Sequence, residues 1–232
     1  MEKARKTGRK ELTVRRLAAT PTMDLARDHW MDTAWTTLDS RASAAVAIAG
    51  NTLYAAWHTG DPNAIAGGPG DFAYQFKHGG ALDLMIGSSD PAADRSRHEP
   101  VMGDQRLLVT QIQGKTRAIL YRAVAPGAPA SEAVLFGSPI GQVHFDQVTD
   151  VTDRVKLSTQ NGDFELAAPL AVLGLSTLKE GRQVLGDIGL LRGDGAQTTQ
   201  RVYWNNQDTG MVSDVPSEAR LRPANWGLWR FE

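Results

Sequence analysis

Apolar and polar positions alternate along this chain in short runs, and turn residues separate the runs at regular spacing. Leu82-Asp83-Leu84-Met85-Ile86 carries the pattern most cleanly, with Leu82, Leu84 and Ile86 on one face and Asp83 and Met85 on the other. A period of two marks a strand half buried on a sheet. Residues 43–48 and 52–58 flank Gly50-Asn51, which predicts a hairpin. Residues 106–112 and 117–124 flank Gln113-Gly114-Lys115 and predict a second. Residues 155–159 and 164–168 flank Gln160-Asn161-Gly162-Asp163, whose Asn-Gly is the strongest hairpin signal in the chain. Pro169 to Gly174 reads as one helical turn, with proline at the first helical position and glycine as its C-terminal cap. The last third supplies further strands, Gly186-Asp187-Ile188-Gly189-Leu190-Leu191 and Arg201-Val202-Tyr203-Trp204, before the closing Asn225 to Phe231. Many short strands with one short helix predict an all-β fold, a two-sheet antiparallel β-sandwich.

Composition fits that picture. At 232 residues the chain suits one all-β domain, and 41% hydrophobic residues can fill its core, while 23 glycines and 11 prolines supply turns. Charge changes the picture at one end. The first sixteen residues hold seven Lys/Arg against two Glu, a net +5, which leaves −6 for the rest of a chain whose total is −1. Residues 1–19 therefore read as a basic N-terminal segment or edge strand, and 20–232 as the sandwich domain. The acidic body is unlike a nucleic-acid-binding face. Zero cysteines exclude disulfides, thiolate metal sites and cysteine nucleophiles. The N-terminus lacks the apolar stretch of a signal peptide, and no run reaches the roughly 18 apolar residues of a membrane helix, so no membrane insertion is expected.

Binding chemistry is easier to find than catalytic chemistry. A strand ending in Trp204, followed by Asn205, Asn206 and Gln207 and preceded by Arg201, offers a ring for sugar C–H groups and polar arms for hydroxyls. Trp57 ends another strand-like run beside a loop and is a second candidate floor; Arg106 is a further polar arm. Trp226 and Trp229 read as core. The loop from Asp61 to Asp71 returns to the strand bearing Asp83, so Asp61, Asn63, Asp71 and Asp83 form a candidate oxygen set for calcium. The five histidines are scattered, and His98-Glu99 runs into Pro100 instead of completing a zinc-protease motif. Gly114-Lys115-Thr116 lacks the upstream glycine of a phosphate loop, and no Gly-x-Ser-x-Gly elbow occurs. The reading is of a non-catalytic protein.

The order of motifs resembles the family 9 carbohydrate-binding modules and their wider relatives, the DOMON-like β-sandwiches that bind sugar or haem. The matching pieces are Pro21-Thr22-Met23-Asp24 with Trp30, residues 53–61, residues 79–87, residues 167–175 and the closing 223–231, so that the likeness spans about 20–232. It departs from the pattern at Gly80, where relatives often carry an acidic residue, and at Leu25, where they carry glycine. The resemblance implies a jelly-roll-like sandwich, commonly with structural calcium, that holds a poly- or oligosaccharide against aromatic rings. It also implies an extracellular or periplasmic setting, as part of a larger exported protein. Two alternatives go with it: a structural or adhesive module without a small ligand, and a haem b carrier using His58 and Met85.

Overall fold

The computed structural model describes residues 8–25, 30 and 33–232. Sixteen strands follow one another: β1 (Glu11–Arg16), β2 (Thr36–Asp39), β3 (Ala42–Ala49), β4 (Thr52–His58), β5 (Ala66–Gly67), β6 (Ala81–Ile86), β7 (Gln105–Ile112) and β8 (Lys115–Arg122). Then come β9 (Val134–Ser138), β10 (Gly141–Phe145), β11 (Gln147–Asp150), β12 (Lys156–Gln160), β13 (Asp163–Pro169), β14 (Gln183–Gly193), β15 (Thr198–Tyr203) and β16 (Gly227–Phe231). A short helix, α1 (Val215–Ala219), lies between β15 and β16.

The three expected hairpins form as β3–β4, β7–β8 and β12–β13, all antiparallel. At the last of these, Asn161 and Gly162 both take positive φ (50° and 87°), as a tight hairpin turn requires. Hydrogen bonding runs β11-β8-β7-β6-β14-β16-β1 through a first layer and continues β3-β4-β13-β12 through a second, with β15 on β14 and β2 on β3.

The basic N-terminal segment departs from expectation. β1 is no edge strand: its first four residues pair in parallel with β16 and its last two residues pair in parallel with β3. It crosses between the layers and links them. The expected helical turn at 169–174 stays a turn. Pro169 is the last residue of β13, opposite Thr52, and the chain then curls through Val172 N–H to Pro169 O and Leu175 N–H to Leu170 O. Gly174 closes it at φ +61°. The α-helix among the described residues is α1 instead, where Asp214 accepts from the Ser217 backbone and Pro216 sits in the first turn.

The layers face each other across one apolar interior. Leu82, Leu84, Ile86, Leu107, Val109, Ile188 and Leu190 come from the first, and Val46, Ile48, Leu53, Trp57, Phe164 and Leu166 from the second. The indole N–H of Trp57 donates to Gly189 O across this interior at 3.0 Å. A second apolar cluster covers the outer face of the first layer. Met85, Leu108, Ile119, Tyr121 and Tyr203 on the strands meet Phe136 and Phe145 of the β9–β10 hairpin, Phe76 of a 3-10 helix (Phe72–Lys77) and Ala219 of α1. The first layer is thus covered on both faces, and this cover builds the site described below.

Glycine makes room where strands carry large rings. A Cβ at Gly227 would lie 2.1 Å from Trp204 Cζ3. Gly227→Ala should therefore destabilise the fold by about 1–3 kcal/mol, the usual cost of overpacking, as a lower urea midpoint at unchanged slope. An unchanged midpoint would mean that the ring is not held there.

Candidate ligand-binding site

The outer face of the first layer carries a buried polar network. Asp83 on β6 and Arg106 on β7 form a two-pronged ion pair, Nε to Oδ1 at 2.9 Å and Nη2 to Oδ2 at 2.7 Å, with both side chains sealed from solvent. Tyr203 donates its hydroxyl to Asp83 Oδ2, and Arg106 Nη1 donates to the Glu218 carbonyl. The guanidinium also lies over the rings of Phe76 and Tyr121, 5.2 and 5.8 Å from their centroids. Burial pulls the Arg106 pKa down, but the Asp83 carboxylate more than offsets this and holds it above its ordinary value. Burial, reinforced by the neighbouring carboxylate, pushes the Tyr203 hydroxyl well up. Arg106 therefore stays charged while Tyr203 stays a neutral donor.

Beside this network a cavity of about 150 Å³ opens between β6, β15 and α1. Its apolar wall is Met85, Tyr203 and Trp226; its polar wall includes Arg201, Asn206, Glu218 and Arg220, with Asp208 and Arg222 also lining it. Arg222 pairs with Asp208 at 2.6 Å. Glu218 receives Lys77 Nζ on Oε1 at 2.6 Å, and burial raises its pKa against the pull of that lysine. Its other oxygen, Oε2, is buried and has no hydrogen-bond partner. The same holds for Nε of Arg201, a residue 8% exposed whose side chain forms no hydrogen bond or ion pair among the described residues. A buried donor or acceptor left unmade costs about 1–3 kcal/mol, more when charged, so native structures satisfy nearly all of them. Two of the six unbonded buried side-chain atoms among the described residues thus belong to residues lining one cavity.

A wider depression, about 890 Å³, is an open groove past Ser88, Met102, Arg122 and Lys179. It lacks this signature. Gln105 is satisfied at both ends, donating to Leu173 O and accepting from Arg122 Nε, and Ser88 Oγ accepts from Asp90 N–H.

The expected site residues divide. Arg201 and Asn206 line the cavity. Trp204 does not: it is 5% exposed and belongs to the interior between the layers. Tyr203 and Arg201 point outwards on β15, so Val202 and Trp204 point inwards. Trp57 is 1% exposed in the same interior. Neither ring can floor a ligand, and the reading of both as sugar platforms is corrected. Trp226 and Trp229 are buried as expected. Of the six tryptophans only Trp35 shows substantial surface, 39%, and it packs edge-on against Trp30.

Arg106 is likewise withdrawn as a free polar arm, because Asp83 and the Glu218 carbonyl occupy it. Asn205 is a bracket: its Oδ1 accepts from the Lys10 backbone and its Nδ2 donates to Asn225 O. Gln207 is exposed and lies off this cavity, donating to Asn205 O at 3.4 Å.

The calcium set does not assemble. Asp83 is consumed by Arg106, Asp71 caps the 3-10 helix through Ala73 N–H, and Asp61 accepts from Asn63 N–H. No cluster of three or more His, Asp or Glu suited to a metal ion occurs among the described residues. These side chains do not fit the ion. The haem pair fails by topology. His58 sits on β4 of the second layer and contacts Asp163, while Met85 sits on β6 of the first.

Sequence reasoning missed Glu218, Arg220 and Tyr203. Asp214-Val215-Pro216-Ser217 is a helix-start signal that would have placed Glu218 on a helix, and the alternation through β15 would have paired Tyr203 with Arg201.

Asp187 sits under the Trp204–Asn206 turn and shapes it. Its carboxylate accepts from the backbone N–H of Ile188 (3.0 Å), Asn205 (3.0 Å) and Asn206 (2.7 Å). Burial pushes its pKa up to about 7 against the pull of those donors. An acid raised in the folded state binds its proton more tightly there than in the unfolded chain. Its contribution to stability therefore falls as pH rises from about 4, the unfolded carboxylate value, to about 7. The stability of the parent relative to Asp187→Asn should accordingly decline between pH 5 and 7.5 in urea titrations. A difference that stays flat or grows would refute this.

No protein-family model and no curated protein matches the sequence. Solved structures do. The chain is similar to a family 9 carbohydrate-binding module from Caldicellulosiruptor kristjanssonii in complex with cellotriose, at TM-score 0.56 and 11% identity over 96% of this chain and 94% of that one. The glucose complex of a family 9 module from the same organism gives TM-score 0.55 at 10% identity, covering 96% of both. A protein from Bacteroides uniformis described as a putative carbohydrate-binding protein gives 0.51 at 12% identity, covering 97% of this chain and all of that one. Likeness at this identity establishes the fold: a β-sandwich of the family 9 module type.

Proposed function

We propose that this chain is a non-catalytic module that binds a saccharide in the cavity between β6, β15 and α1. The observation that carries this reading is the pair of unmet buried groups, Arg201 and Glu218 Oε2, on a cavity walled by Trp226, Tyr203 and Met85. A sugar hydroxyl both donates and accepts. It can satisfy the carboxylate oxygen and the guanidinium together while the ring's C–H face meets the apolar wall. Support also comes from the structural neighbours, which carry cellotriose and glucose. The proposal includes attachment to a larger exported protein, which fractionation of native cells would check.

Arg201→Gln separates a ligand site from a structural one. Hydrogen bonds to a charged group are worth about 1.5–3 kcal/mol, so saccharide affinity measured by calorimetry should drop roughly 10–150-fold. Stability should stay level, because the Arg201 side chain holds no hydrogen bond or ion pair among the described residues. A large loss of stability with affinity intact would refute the reading. The structural alternative draws on the burial of Trp57 and Trp204, and it expects no saccharide to bind at all.

A further inference from the structure

We infer that the saccharide is acidic, a uronate whose carboxylate meets Arg201 and Arg220. This rests on the proposed saccharide site and narrows its ligand class. Three arginines line the cavity, and Asp208 engages only Arg222. The carboxylate of Glu218 is bound to Lys77 on one oxygen. Arg201 and Arg220 are left with no side-chain hydrogen bond and no ion pair among the described residues, one of them 92% buried. Arg201 has its Nε sealed from solvent without an acceptor, and a carboxylate is the partner whose geometry a guanidinium fork matches. A neutral sugar would leave that charge uncompensated.

Glu218 sets the other limits. Its free Oε2 needs a donor, which a simple carboxylate ion lacks and a sugar hydroxyl supplies. Its own negative charge disfavours a dianionic phosphate ester in so small a space. One negative charge together with hydroxyl donors on one ring is the chemistry of a uronic acid.

The test is calorimetric titration of the full chain at pH 7.5 and low salt. The probes are glucuronic and galacturonic acids and their disaccharides, the matched neutral sugars including cellotriose, galactose 6-sulfate, and acetate. At least one uronate should bind about tenfold or more tightly than its neutral counterpart, as a charge-assisted bond implies. The advantage should shrink at high salt and vanish in Arg201→Gln. Arg220→Gln, at a partly exposed position, should reduce it in a protein whose melting temperature confirms folding.

Equal or tighter binding of the neutral sugar would overturn this inference and leave the saccharide reading standing. Preference for the sulfated sugar over every uronate would overturn it too. Failure of every sugar to bind, or acetate binding as well as any uronate, would overturn both.

Discussion

Asp83→Ala is expected to destabilise the protein by about 3–5 kcal/mol, the usual cost of removing one partner from a buried ion pair. The reason lies in what remains. Arg106 is 1% exposed, so its charge cannot turn to water, and Tyr203 loses the acceptor for its hydroxyl at the same time. The rings of Phe76 and Tyr121 beside the guanidinium would compensate only a fraction. Removing both charges is a different matter. The double variant Asp83→Leu with Arg106→Met should lie close to the parent in stability, because apolar replacements of similar volume often equal or exceed a buried pair. Urea titrations of the two single variants and the double variant measure this as a coupling energy. A double variant as damaged as Asp83→Ala would show that the pair is not what holds this face together.

Trp204→Ala is expected to cost about 3–5 kcal/mol, the range for large aromatic side chains deleted from a core. The ring fills the space that Gly227 leaves open and packs in the interior with Val202. The same substitution at a surface platform would remove affinity and leave the melting temperature unchanged. Here the melting temperature should fall by roughly 6–20 °C on the usual scale of roughly 2–4 °C per kcal/mol for chains of this size. The protein that remains folded should keep its saccharide affinity. Unchanged stability with lost binding would restore Trp204 as a platform and move the site.

How much of this was legible in the sequence depends on the kind of signal. Hairpins were readable because turn chemistry is local: Asn161-Gly162 needs two positive φ values, and few other dipeptides supply them cheaply. The inward face of β6 was readable as well, because Leu82, Leu84 and Ile86 alternate without interruption. Its outward face misled. Asp83 and Met85 looked like a solvated edge of the pattern, yet the β9–β10 hairpin, the Phe72–Lys77 helix and α1 fold over them. Alternation says which way a side chain points, and a second covering layer decides whether water is there. At β15 the pattern held the answer that the residue types obscured. Tryptophan beside two asparagines resembles a sugar platform, but Val202 shares Trp204's face and Tyr203 shares that of Arg201. The parallel pairing of β1 with β16 left no local trace, since it joins residues more than 200 positions apart. The unpaired state of Arg201 is likewise visible only once every neighbour has been placed.

The account stands most directly on where a saccharide touches the protein. Two-dimensional amide spectra of ¹⁵N-labelled protein, titrated with cellotriose and with a uronate disaccharide, locate that contact residue by residue. Saturable shifts should concentrate at the amides of Arg201, Tyr203, Asn206 and Glu218 and at the Trp226 indole N–H. Shifts confined to the groove beside Arg122 and Lys179, or to the surface around Trp35, would contradict the assignment of the cavity between β6, β15 and α1.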